Sequence, residues 1–219
     1  AFAANAAGTL SGLTNINVTA DGSITMAEAN DLIALNGTGI VTATITEQDL
    51  TTLVAAGTGI NSGGDAAVDH VINITVARQI SASDGVDLDE SINAGNLKTL
   101  ESRTAGLITV TAPSIEGNYD DILDVFEFNS PDDTDGNPDP NHANRTITGL
   151  QTLPVTIDDS ITLAEARAID DYTSGVITGT IDTGGIAGFI QQTVAGTYDL
   201  EAGNAWSLTF NDTSQNATD

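Results

Sequence analysis

Cysteine is absent from this chain of 219 residues, so neither a disulfide nor a thiolate metal site can form. Basic residues are almost as scarce. Five Lys and Arg stand against 31 Asp and Glu, a formal charge of −26. A surface of that sign repels nucleic acid and anionic membranes, and it attracts cations. The five basic residues, Arg78, Lys98, Arg103, Arg145 and Arg167, form no cluster for a phosphate. Aromatics make up only 4 % of the chain, whereas sugar-binding clefts commonly offer aromatic platforms. No apolar run approaches the roughly eighteen residues that cross a bilayer as a helix. The serine-hydrolase elbow, the P-loop and the dinucleotide fingerprint are all missing. Paired carboxylates of glycoside chemistry are the one catalytic arrangement that so many acids leave open.

What the chain does have is aliphatic residues, small side chains and repetition. Hydrophobic residues reach 40 %, mostly Ala, Val, Ile and Leu, which suits thin, regular layers better than one deep core. DGSITMAEAN begins at Asp21 and DDSITLAEAR at Asp158. A more diverged relative, SINAGNLKTL, begins at Ser91, so the Ser-Ile pair recurs at offsets of 68 and 69 residues. Each copy then continues in step, through Thr38-Gly39-Ile40, Thr104-Ala105-Gly106-Leu107 and Ser174-Gly175-Val176. Such a period is the mark of a repeat architecture. The expected division is an N-terminal extension at 1–8 and units at 9–82, 83–151 and 152–219, the second with an acidic insertion at 129–143. The opening AFAANAAGTLSG reads either as an end left by a signal peptidase or as a fragment boundary.

Within each unit, β-branched strands alternate with short helices. The strands are expected at 16–20 and 153–157, at 40–45 and 176–181, and as closing strands at 70–77, 145–150 and 206–210. Thr25 with Glu28, and Thr162 with Glu165, have the spacing of a capping box and should start helices, with Ile24 and Ile161 just outside. Ala29, Leu32 and Ile33 form the apolar face of the first helix, and Ala164, Ala168 and Ile169 that of its counterpart. Thr46 and Asp49 cap a second helix carrying Leu50, Leu53 and Val54. Its counterparts are expected to start at Ser114, with the stripe Ile115, Tyr119, Ile122, Leu123 and Phe126, and to carry Ile186, Phe189, Ile190 and Val194 in the third unit. The fold class is therefore α/β: three tandem β-α-β-α-β units of about 68 residues, short helices packed on small sheets.

Two stretches invite a calcium reading. Laid on an EF-hand loop, the first repeat gives Asn17, Thr19, Asp21, Gly22, Ile24 and Glu28, but the third has Pro154 and Asp159 at the first and Gly positions. A strand, a turn and a capped helix explain those residues better. The insertion is the stronger candidate. Asp133, Asp135, Asn137 and Asp139 alternate around Gly136, a spacing that lets a short loop wrap one hard cation such as Ca2+. The competing reading is a solvated, Pro-rich loop. Asp65, Asp69, Asp84, Asp87, Asp89 and Glu90 are weaker candidates in other insertions. His70 and His142 fall in nearly equivalent places of two units, which argues against a shared zinc site. Asn17, Asn36, Asn73, Asn144, Asn211 and Asn216 head N-x-[ST] triplets that a chain this rich in Asn and Thr produces by chance.

INVTADGSITMAEANDLIALNGTGIVTATI, SGVITGTIDTGGIAGFI and GLITVTAPSIEGNYDDIL resemble the Ala/Thr/Val/Ile-rich repeats of very large exported surface proteins of bacteria, cyanobacteria especially. Many of those proteins carry haemolysin-type calcium-binding labels, although the glycine-rich nonapeptide of that family does not occur here. The resemblance implies a secreted or cell-surface location and a structural or adhesive role, with no reaction. The function expected is thus a filament, sheath, S-layer or adhesin-stalk subunit, a homo-polymer or a neighbour of like repeats, assisted by calcium and without nucleic acid or direct membrane insertion. The alternative is a secreted carbohydrate-binding module or acidic hydrolase domain.

Overall fold

Strand sequences such as VTATI and VINITV place an aliphatic residue at every second position, so one face can be buried while Thr and Asn face outward. The computed structural model describes residues 15–61, 70–80, 91–127, 146–182 and 203–209. Among the described residues the order is β1 (Val18–Ile24), α1 (Met26–Asn36), β2 (Val41–Ile45), α2 (Leu50–Val54), β3 (Val71–Val76), β4 (Ile92–Asn93), α3 (Ala94–Glu101), β5 (Leu107–Val110), β6 (Ile115–Gly117), α4 (Tyr119–Glu127), β7 (Thr146–Thr148), β8 (Val155–Ile161), α5 (Leu163–Asp170), β9 (Ile177–Asp182) and β10 (Ala205–Thr209).

The strands form two five-stranded sheets, ordered β1-β2-β3-β5-β7 and β10-β9-β8-β6-β4, and every pairing is parallel. Each sheet therefore grows in chain order. From β3 to β8 the chain alternates between the two sheets, adding one strand to each in turn. The protein is a mixed α/β coil of parallel strands with helices α2, α3, α4 and α5 packed one on the next along it.

Parallel registry stacks like on like. Ala43 lies beside Ile72, Ile74 beside Ile108 and Ile108 beside Ile147, all buried. In the second sheet Ile92, Ile115, Val155 and Ile177 line up in the same manner. The helices close this interior with Ala29, Ile33, Leu50, Leu53, Leu97, Leu100, Ile122 and Ile169. Small aliphatic side chains suit the arrangement because each layer need only fill the gap to the next.

The turns into the strands are tight. Gly106 and Gly175 each precede a strand by one or two residues, and a Cβ on either would overlap a backbone carbonyl of the preceding coil, that of Ile72 or Leu153. Two residues before each glycine stands a buried threonine. Thr104 Oγ1 accepts from the amides of Ile72 and Gly106, both at 2.9 Å, and lies 2.9 Å from Ile72 O. Thr173 Oγ1 accepts from Gly175 N at 3.0 Å and reaches Leu153 O and Gln151 O.

Several expected elements differ. Residues 115–117 are a strand, and the helix begins only at Tyr119. Gly117, at φ 156°, ends the strand, and Asn118 caps the helix by accepting from Asp121 N at 2.9 Å. The buried face of α5 is Leu163, Ala166 and Ile169, and Ala164 is exposed. Ile24 and Ile161 do stand just outside their helices, as expected, and are also the last residues of β1 and β8. The sheets also cut across the expected units, since β3 pairs with β5 and β6 with β8, so no single unit closes a small sheet of its own. The stripe Ile186, Phe189, Ile190 and Val194 lies outside the described residues.

Candidate functional site

The repeated ten residues build a strand-to-helix joint. In both β1 and β8 the pairing register shifts within the strand, between Thr19 and Ser23 and between Thr156 and Ser160. The bulge brings Thr25 and Thr162 to the N-cap of α1 and α5. Glu28 Oε2 accepts from Thr25 N and Oγ1, both at 2.8 Å, and Thr25 Oγ1 accepts from Glu28 N at 3.2 Å. Glu165 and Thr162 repeat the same exchange, with distances of 2.7, 2.8 and 3.2 Å. Asn93 caps α3, accepting from Asn96 N at 3.1 Å. Hydrogen bonds from Thr25 hold the Glu28 carboxyl below the usual glutamate range. Glu28 is thus engaged in a cap, where the EF-hand register would need it as a ligand.

The loop residues Asp133, Asp135, Asn137 and Asp139 lie outside the described residues, as do Asp65, Asp69, Asp84, Asp87, Asp89, Glu90 and His142. Among the described residues no three His, Asp or Glu side chains converge on a point where a metal ion could sit. No helix among the described residues is long and apolar enough to cross a membrane.

A cluster of charged side chains lies where α3 meets α4. Lys98 Nζ bridges Asp121, at 3.4 Å, and Asp124. The hydrogen bond to Asp124 leads the causes that raise the Lys98 ammonium above its ordinary value. Asn118 Nδ2 donates to Asp121 at 2.8 Å, and Tyr119 N donates to Asp159 at 2.9 Å. The Tyr119 phenol is pushed up to about 12, first by burial and then by the carboxylates of Glu165, Glu127 and Asp120. Every one of these carboxylates sits on or beside a helix terminus or ion pair, so the cluster acts as a brace between coils.

A second set of polar side chains stitches one coil to another. Asn17 Oδ1 accepts from Ile40 N at 3.1 Å, Asn73 Oδ1 from Leu107 N at 2.9 Å and Asn204 Oδ1 from Ile177 N at 2.8 Å. His70, fully buried, accepts from Val41 N through Nδ1 at 3.1 Å. Sequence reasoning missed this role for Asn17 and Asn73, which looked like chance triplets. The usable signal was their place just before a strand, for Asn17, or on its outward face, for Asn73, each within reach of an N–H at the start of the neighbouring strand. Trp206 rests on Gly179 across the β9–β10 pairing, and a Cβ on Gly179 would stand 3.1 Å from its ring.

No family model matches the chain, and comparisons with curated proteins and with solved structures return no match. The described residues define a class of fold, a parallel α/β coil, in which the capping and bridging side chains named above serve as joints and braces.

Proposed function

We propose that this protein is a structural module of an exported surface or extracellular assembly, a filament, sheath, S-layer or adhesin-stalk component. The observation that carries the reading is the coil itself. Each sheet adds parallel strands in chain order, and the same capping-box joint recurs at Thr25 and Thr162, with a plain Asn93 cap at the corresponding place between them. Such an architecture extends by repetition, which is what a stalk or filament requires. Three tandem units at 9–82, 83–151 and 152–219 are the corresponding evolutionary reading, supported by offsets of 68 and 69 residues and by the matching bulges in β1 and β8. A net charge of −26 favours solubility outside a membrane and an appetite for divalent cations.

Calcium is the ion we assign to the 129–143 insertion, with Asp133, Asp135 and Asp139 as carboxylate ligands and Asn137 assisting. Titration calorimetry should register uptake by the intact chain and lose it in Asp135→Asn with Asp139→Asn. Heat that is unchanged by those substitutions would place the ion elsewhere.

The surface role is tested on the source cells. Antibody against the purified chain should label intact cells or their extracellular material by immunogold microscopy. Label confined to the cell interior would sink the reading.

A further inference from the structure

We draw no further inference here: the strongest candidate, the outward face of strands β2, β3, β5 and β7, where Thr42, Thr44, Thr75, Thr109 and Thr148 stand in strands that hold no charged residue, is an unpartnered sheet face, and nothing in the structure shows what covers it.

Discussion

Single buried hydroxyls carry much of the order between coils. Thr104 accepts from two backbone amides, those of Ile72 and Gly106, that have no water to turn to. Thr104→Val keeps the shape and removes the acceptor, so it should cost about 2 kcal/mol or more in urea unfolding, while Thr104→Ser should recover most of that. Gly106→Ala fails for a different reason, since its methyl group would occupy the space of the Ile72 carbonyl. None of this was apparent from the Thr-Ala-Gly sequence, which signals a turn without revealing that another coil lies against it. His70 is similar: its repeat position was visible, but its bond to Val41 N depends on a neighbour 29 residues away.

At the scale of elements, the caps were the most legible feature. Thr25-x-x-Glu28 and Thr162-x-x-Glu165 announce helix starts because both partners lie within one turn. Thr25→Ala and Thr162→Ala should each cost about 1 kcal/mol. The Glu28 contribution belongs to its ionised form, whose folded value is lowered. It is present above the unfolded glutamate range and is lost as the pH falls through the lowered folded value, so the Thr25→Ala deficit should shrink in acid. Tyr119 has the opposite sign. Its pKa is raised, so stability present below its ordinary value of 10.0 is lost as the pH climbs toward about 12. Ultraviolet titration should follow that phenolate, and Tyr119→Phe should blunt the alkaline unfolding it causes. The helix expected from Ser114 failed because Ile115, Tyr119, Ile122 and Phe126 fit a helical stripe by spacing alone. Gly117-Asn118, a break followed by a cap, was the local signal that outweighed it. Pairings such as β3 with β5 were not legible, because parallel neighbours are joined by long crossovers that leave no hairpin signature.

For the molecule as a whole, charge and connectivity set the behaviour. A net −26 acts against compactness, so the melting temperature should rise as salt screens it, and a flat response would indicate that the acids are already neutralised by bound cations. Contacts run mainly between neighbouring coils, as in the α2, α3, α4, α5 series, and such stacks can open from their ends. This gives the Trp206–Gly179 contact an optical meaning. The only indole of the chain sits on its last described strand, so fluorescence watches that end alone, while far-ultraviolet circular dichroism averages over all strands and helices. In urea the emission change should come at a lower concentration than the dichroism change. Superimposable curves would mean that the stack melts as one unit. The molecule thus carries a built-in lamp at one tip, and its brightness distinguishes a frayed end from a closed one.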